Sequence, residues 1–114
     1  MEWNTIFLKS VEKFIKEQGK PVRASILKHI ELLNKHGIDL GMPYVKFIES
    51  KIYEIRIKDS SNNYRLFYFS YTNKTFVVVH AITKKTQKTP RSDIELSIKR
   101  INDFIKEREK NEKK

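Results

Sequence analysis

The side chains of this chain that could do chemistry are mainly basic. Arg56 lies in the segment IYEIRIK (52–58), and Arg65 lies in the segment YRLFYFSY (64–71). The stretch KKTQKTPR (84–91) then carries four cations with no acid among them. Guanidinium groups bind phosphate through paired hydrogen bonds and ammonium groups add point charge, so such a cluster can hold several phosphates at once. The residue types therefore favour an anionic ligand.

The composition supports a polyanionic partner. The 114 residues include 24 Lys and Arg against 14 Asp and Glu, which gives a formal net charge of +10. Charge of this size opposes compaction. A nucleic acid, an acidic protein or a membrane surface is therefore favoured over a surface that is simply rich in lysine. The length predicts one domain over residues 1–114.

Several classes of site are excluded by the residue types. The chain has no cysteine, which rules out disulfides, thiolate chemistry and Cys-ligated zinc. Its three histidines are too scattered to suggest a metal site. We find no glycine-rich phosphate loop and no nucleophile elbow, so no metal and no cofactor are expected. The start of the chain lacks the features of a signal peptide and no apolar run could span a membrane, so we expect a cytoplasmic protein without a membrane partner.

The elements that must position the basic residues begin with two amphipathic helices. Apolar residues at helical spacing predict a first helix over residues 4–18, capped by Gly19. Its stripe consists of Phe7, Val11, Phe14 and Ile15. A second helix is expected to start near Pro21 and to end at His36-Gly37. Its stripe consists of Ile26, Leu27, Ile30 and Leu33. The short turn between the helices predicts an antiparallel hairpin.

Three strands follow a loop that spans residues 37–43. Alternating or β-branched residues predict strands over residues 52–58, 64–71 and 75–82. The segments DSSNN and TNK between them are rich in turn formers, and such short turns imply an antiparallel meander. The third strand is nearly all apolar or β-branched, so we expect it to be the most buried.

A helix is predicted at the C-terminal end. Its apolar stripe consists of Ile94, Ile98, Ile101 and Ile105. Two start points fit: Thr89 as the N-cap with Pro90 in the first turn, or Ser92 as the N-cap with Glu95 completing a capping box. Residues 105–114 are expected to form a frayed basic tail. The element order predicts an α+β fold, with an N-terminal helical hairpin packed on a small antiparallel sheet and a C-terminal helix.

Strand alternation suggests how the basic residues are arranged. Glu54, Arg56 and Lys58 share one face of the first strand. In the second strand, Arg65 shares a face with Phe67 and is expected at the rim of the sheet. The sequence does not fix whether Arg56 and Arg65 lie on the same face, because that depends on strand register. If they do, they converge near the end of the third strand, where three lysines emerge: Lys84, Lys85 and Lys88.

Each candidate also has a purely structural interpretation. Arg56 could pair with Glu54 on an open face, and such pairs contribute little. The stretch 84–88 could be a solvated loop. His80 lies in the most apolar strand, and a hydrogen-bonded core histidine is favoured there over a catalytic one. Three tyrosines are expected to pack with a hydroxyl in water, although one could stack on a base: Tyr53, Tyr64 and Tyr68.

A site of this composition can cleave RNA without metal. The 2′-hydroxyl of RNA can attack the adjacent phosphate, so the protein need only position the chain, stabilise the charged phosphorane and move protons. Arginines and lysines suit the first two tasks, and a lysine crowded by other cations can transfer a proton.

Three segments match the pattern of a known superfamily. They are YEIR (53–56), YRLFY (64–68) and HAITKKTQKTP (80–90), in the same order and at similar separations. They resemble the RelE/ParE superfamily of bacterial toxins, and within it the HigB-like, phage Gp49-like branch. The similarity covers about residues 32–100, and KKTQKTP is its most specific part. The family usually opens with a short strand, which here would run through Glu2-Trp3-Asn4 or be absent.

The resemblance implies a type II toxin. Its activity would be that of a ribosome-dependent mRNA endonuclease, which cleaves messenger RNA in the ribosomal A site without metal. Its partners would be mRNA on the ribosome and a cognate antitoxin, often a helix-turn-helix DNA-binding protein. Catalysis would be assigned to Arg56, Arg65, Lys84 and Lys85. The resemblance would assign RNA binding to Lys88 and Gln87. The strand pattern itself adds three further candidates for RNA binding: Lys58, Tyr53 and Tyr68.

Two other functions are compatible with the same residues. One is a nucleic-acid-binding phage accessory module without catalysis. The other is a gyrase-poisoning ParE-type toxin, although such toxins lack the basic constellation. Glu54 falls where some members of the RelE/ParE superfamily carry a lysine, so the resemblance does not assign it the role of general base.

Overall fold

The computed structural model describes residues 2–59, 62–84 and 88–112. In chain order the elements are β1 (Asn4–Phe7), α1 (Lys9–Lys16), α2 (Lys20–His36), a 3₁₀ turn (Gly37–Asp39), β2 (Val45–Glu49), β3 (Ile52–Lys58), β4 (Asn63–Ser70), β5 (Thr75–Lys84) and α3 (Arg91–Glu112). The strands form one five-stranded sheet in the order β1-β5-β4-β3-β2. The predicted α+β fold is confirmed, and it is compatible with a RelE-like architecture.

The meander predicted from the turn segments is present. The predicted strands correspond to β3, β4 and β5, and both neighbouring pairs are antiparallel. The sheet is nevertheless mixed and larger than expected, because a strand is added at each edge.

The strand β1 replaces the start of the predicted first helix. Residues 4–7 pair in parallel with β5, from Asn4 opposite Thr75 to Phe7 opposite Val78. Trp3 stacks on Phe76 with ring centroids 4.3 Å apart, and its backbone N–H donates to the Asn34 carbonyl at 2.8 Å. These long-range contacts outweigh the helical spacing of the apolar residues. The family-type strand thus exists, but it follows Trp3.

The strand β2 lies at the other edge and was not predicted. It pairs antiparallel with β3, with Val45 opposite Ile55, and the register shifts between Phe47 and Glu49. The side chain of Phe47 is exposed, as is common at a sheet edge, so the segment lacks the alternation of a half-buried strand.

Two apolar clusters cover the two faces of the sheet. On one face, α1 and α2 pack on the side of β3 and β4 that carries Ile55 and Leu66. On the other face, α3 packs on the side that carries Phe67. The predicted α2 stripe is correct for Ile26, Ile30 and Leu33 but wrong for Leu27, which is 51% exposed.

The helix ends differ from the prediction in three places. Gly19 is the N-cap of α2, whereas the C-cap of α1 is Glu17. At α3, the Pro90 carbonyl accepts the N–H of Ile94, so the helix begins between the two predicted N-caps. The helix also continues to Glu112, and therefore includes most of the tail that was expected to fray.

Candidate functional site

Arg56 and Arg65 lie directly opposite each other in the antiparallel pair of β3 and β4. Glu54, two residues before Arg56, lies opposite Phe67, so all four side chains share the face that α3 covers further along the sheet. The register that the sequence left open therefore brings the two arginines together. Like charges directly opposite each other are destabilising, so the pair needs a compensating acid.

Glu54 supplies this acid. It is 1% exposed, and its Oε2 accepts a hydrogen bond from Arg56 Nε at 3.1 Å and lies 3.6 Å from Arg65 Nε. Its Oε1 accepts the hydroxyl of Thr89 at 3.0 Å. A buried carboxylate is tolerated only when it is paired and hydrogen-bonded, and both oxygens of Glu54 meet this condition.

Arg65 is buried, so its predicted place at the rim of the sheet is wrong. It is 6% exposed, and its Nη1 donates to the Tyr64 carbonyl at 3.3 Å. Burial lowers the pKa of Arg65, while the charge of Glu54 opposes this shift and the charge of Arg56 adds to it. The guanidinium is thus buried in the sheet beside Glu54, and its Nε makes no hydrogen bond with the described residues.

Lys84 joins the same network through Thr89. It is 3% exposed, and its Nζ donates to Thr89 Oγ1 at 3.1 Å. Burial lowers the pKa of Lys84, Glu54 opposes the shift, and Arg65 adds to it. Thr89 therefore links a lysine from β5 to a carboxylate from β3 and does not cap α3. No sequence signal pointed to Thr89, because its partner Glu54 lies 35 residues away along the chain.

A cavity of about 380 Å³ lies beside the arginines. This volume is within the range of small-ligand sites, roughly 300–1,000 Å³. Residues of the sheet and residues from α2 and the segment before β2 line it, among them Arg56, Lys58, Asn63, Arg65, His29 and Tyr44. The sequence predicted Arg56, Lys58 and Arg65 as site residues. It gave no sign of Asn63, His29 or Tyr44, because only the fold brings them to the same cavity.

A comparison with models of protein families shows to which family the chain belongs. The family described as "Phage derived protein Gp49-like (DUF891)" matches residues 13–102, which include all the residues named above for the network and the cavity. The chain belongs to this family. Gp49-like proteins are a family of RelE/ParE-like toxins associated with toxin–antitoxin systems, and an antitoxin partner is therefore indicated. No curated protein matches the chain.

In this Gp49-like protein, the two tyrosines predicted to bind RNA lie on the face of the sheet that does not carry the side chains of Arg56 and Arg65. Tyr53 and Tyr68 pair across β3 and β4 with their rings stacked at 5.7 Å, on the side that α1 and α2 cover. Tyr68 is buried, and burial raises its pKa, with a further contribution from Tyr53. Neither tyrosine is among the residues that line the 380 Å³ cavity.

His80 is a hydrogen-bonded histidine, as the sequence favoured. Its Nε2 lies 2.8 Å from Asp93 Oδ1, and Arg100 Nη1 donates to its Nδ1 at 3.3 Å. Its ring stacks on Phe67 at 5.7 Å. Because Asp93 and Arg100 belong to α3, these contacts join that helix to β5.

Of the remaining predicted residues, the structure describes Lys58 and Lys88. Lys58 is exposed and lines the cavity, and Lys88 is exposed beyond β5. Lys85 and Gln87 lie outside the described residues. Within residues 2–59, 62–84 and 88–112, no group of three or more His, Cys, Asp or Glu could hold a metal ion. No helix in that part of the chain is long and apolar enough to cross a membrane.

Proposed function

We propose that this Gp49-like protein is a HigB-like mRNA interferase, a ribosome-dependent endoribonuclease that cleaves messenger RNA in the ribosomal A site. The observation that carries the proposal is the pairing of Arg56 with Arg65 on one buried carboxylate, at the wall of a 380 Å³ cavity. Family membership supports it, since the family is associated with RelE-like toxins that are endoribonucleases.

The division of labour follows from charge and position. Arg56, whose side chain is 24% exposed, contacts the scissile phosphate most directly. Arg65 and Lys84 stabilise the extra negative charge of the phosphorane from within the protein. Groups fixed before the reaction need not reorganise as charge develops, and a single such donor is worth about 100- to 1,000-fold in rate.

The RNA backbone on either side of this phosphate would meet the other cations. Lys58 lines the cavity and Lys88 lies beyond β5, so these lysines bind the neighbouring phosphates. We also assign Lys85 a part in catalysis and Gln87 a part in RNA binding, on the basis of the sequence alone. The cognate antitoxin is a helix-turn-helix DNA-binding protein.

Mapping of messenger 5′ ends tests this function. The protein is induced in bacterial cells, and mRNA 5′ ends are located by primer extension, with translation active or blocked. We expect new ends that require translation. Double-strand DNA breaks with intact mRNA would instead support a gyrase poison, and RNA binding without new ends would support a non-catalytic module.

A further inference from the structure

His29 lines the same cavity as the basic residues of the sheet. It belongs to α2, whereas Arg56 and Arg65 belong to β3 and β4, yet all three line the same 380 Å³ space. Its ring lies edge-on to Tyr44 at a centroid distance of 6.1 Å, and Tyr44 lines the cavity too. An imidazole therefore borders the place where a phosphate would bind.

The hydrogen bonding of His29 fixes its tautomer. Nδ1 lies 2.7 Å from the backbone carbonyl of Ser25. A carbonyl oxygen only accepts hydrogen bonds, so Nδ1 carries a proton and donates it. In the neutral ring, Nε2 then has a free lone pair, and the described residues provide no hydrogen-bond donor to it. A ring oriented in this way through Nδ1 is suited to accept a proton at Nε2.

The other acid–base groups near the arginines are less available. Glu54 is 1% exposed, and its two oxygens are occupied by Arg56 and Thr89. Lys84 is 3% exposed and is held by Thr89. A general base must come within hydrogen-bond reach of the hydroxyl that it deprotonates, and a bound nucleotide reaches the cavity wall and not the interior.

We propose that His29 is the general base of the reaction, a role that rests on the proposed function. Nε2 takes the proton of the attacking 2′-hydroxyl as the P–O2′ bond forms and the P–O5′ bond breaks. The leaving 5′-oxygen takes a proton from solvent. The products are a 2′,3′-cyclic phosphate and a 5′-hydroxyl, and the imidazolium returns its proton to solvent.

The surroundings of His29 include charged and titratable groups from each packed element. The sheet contributes Arg56, Lys58 and Arg65 to the cavity, and the segment before β2 contributes Tyr44. His29 and Tyr44 also line a second cavity of about 540 Å³. The charged residues that line this second cavity belong to α2: Lys28, Glu31 and Lys35. Any pH profile of the site therefore needs a variant that changes His29 alone.

The test is single-turnover cleavage of mRNA on programmed ribosomes across pH, for wild type and His29→Asn. Asparagine can keep the donor to Ser25 but has no group equivalent to Nε2. We expect the cleavage rate of His29→Asn to be at least about 100-fold lower than that of wild type, in line with the usual contribution of a general base. We also expect the pH dependence of the rate to change, because a general base acts only in its deprotonated form. His29→Gln, which lacks the Ser25 donor but places an amide near Nε2, should show the same kinetic defect.

His36→Asn is the matched control, because His36 is exposed on the last turn of α2 and does not line the cavity. It should cleave like wild type, and circular dichroism should show all variants folded. A folded His29→Asn or His29→Gln that cleaves within about threefold of wild type with an unchanged pH profile would overturn the role of His29. Failure of the wild type itself to cleave would overturn the proposed function together with this role.

Discussion

Glu54 organises the site at the scale of single residues. Its carboxylate touches Arg56, Arg65 and Thr89, and through Thr89 it reaches Lys84. Three cations could not share this corner of the sheet without it, because buried like charges repel strongly when nothing compensates them. Glu54 is therefore a positioning residue, which holds Arg56, Arg65 and Thr89 in place.

Arg56→Ala separates function from stability at this scale. The side chain of Arg56 is partly exposed, and Glu54 keeps Arg65 and Thr89 when Arg56 is removed. We expect the cleavage rate to fall about 100-fold. The free energy of unfolding, measured with urea, should fall by about 2 kcal/mol, because the buried Oε2 of Glu54 loses its hydrogen bond from Arg56.

Arg91→Ala is the control for this prediction. Arg91 is 60% exposed and also pairs with acids, Glu49 and Glu95, but it does not line the cavity. It should leave the cleavage rate unchanged. An Arg56→Ala protein as active as Arg91→Ala would contradict the role given to Arg56.

Lys84→Met tests the buried lysine through pH. Burial lowers the pKa of Lys84 below its ordinary value of 10.5. Between the lowered pKa and 10.5, the unfolded chain holds a proton that the folded chain has lost, so the free energy of unfolding of wild type rises with pH. Lys84→Met lacks this contribution. The difference in unfolding free energy, Lys84→Met minus wild type, should therefore fall as pH rises from neutral toward 10.5.

Urea denaturation at a series of pH values measures this difference. Lys13→Met, which removes an exposed lysine of α1, is the control and should give a difference that is nearly independent of pH. If the difference in unfolding free energy between Lys84→Met and wild type stays constant or grows over the same range, the pKa of Lys84 is not lowered in the folded protein.

At the scale of elements, the sequence predicted those strands and helices that have a clear periodicity of apolar residues and turn-forming residues at their ends. The strands β3, β4 and β5 and the helix α3 were predicted because each carries its own periodicity. It could not predict the register that places Arg56 opposite Arg65, since alternation gives faces within one strand only. For the same reason, it could not place Tyr53 and Tyr68 on the face away from the arginines.

The edge strands were missed because long-range contacts decide them. The segment of β1 reads as helix from the spacing of Phe7, Val11 and Phe14, but pairing with β5 and the stacking of Trp3 on Phe76 select the strand. The sequence likewise gives no sign of what His29 contacts, because its neighbours in the fold are distant along the chain. Only the tertiary fold shows that it borders the same cavity as Arg56.

Gly37→Ala tests how α2 and the chain before β1 fit together. Gly37 has φ +60°, and a Cβ there would lie 2.4 Å from Trp3 Nε1. Side chains rarely adopt this backbone conformation, and the contact also crowds the ring that anchors β1. We expect the free energy of unfolding to fall by about 2 kcal/mol, measured with urea.

Gly41→Ala is the matched control. A Cβ at Gly41 would meet nothing within 4 Å. This variant should stay within about 0.5 kcal/mol of wild type. Equal stabilities for the two variants would contradict the packing of Trp3 against Gly37.

At the scale of the whole molecule, charge and architecture act together. The two faces of the sheet are covered by α1 and α2 on one side and by α3 on the other. The cavity with its cations lies at the edge of β3 beyond the start of β2, where the basic side chains remain accessible. A net charge of +10 then favours the approach of a polyanion to this edge.

The salt dependence of RNA binding tests this arrangement. Binding of a single-stranded RNA oligonucleotide is measured by fluorescence anisotropy over a series of salt concentrations. If Lys58 contacts a phosphate, Lys58→Gln should reduce the slope of log K against log salt by about 0.7. Lys13→Gln, on α1 and away from the cavity, should leave the slope unchanged. A Lys58→Gln slope equal to wild type would remove Lys58 from the RNA path.

The chemistry of the cleavage products tests the central claim most directly. Purified protein is added to ribosomes that hold a defined codon in the A site, and the ends of the released mRNA fragments are analysed. We expect cleavage in the A site with a 2′,3′-cyclic phosphate and a 5′-hydroxyl, and no cleavage when the attacking 2′-hydroxyl is replaced by hydrogen. An uncut A-site message, or fragments with a 5′-phosphate, would contradict a nuclease that uses the 2′-hydroxyl of RNA at the Arg56–Arg65 pair.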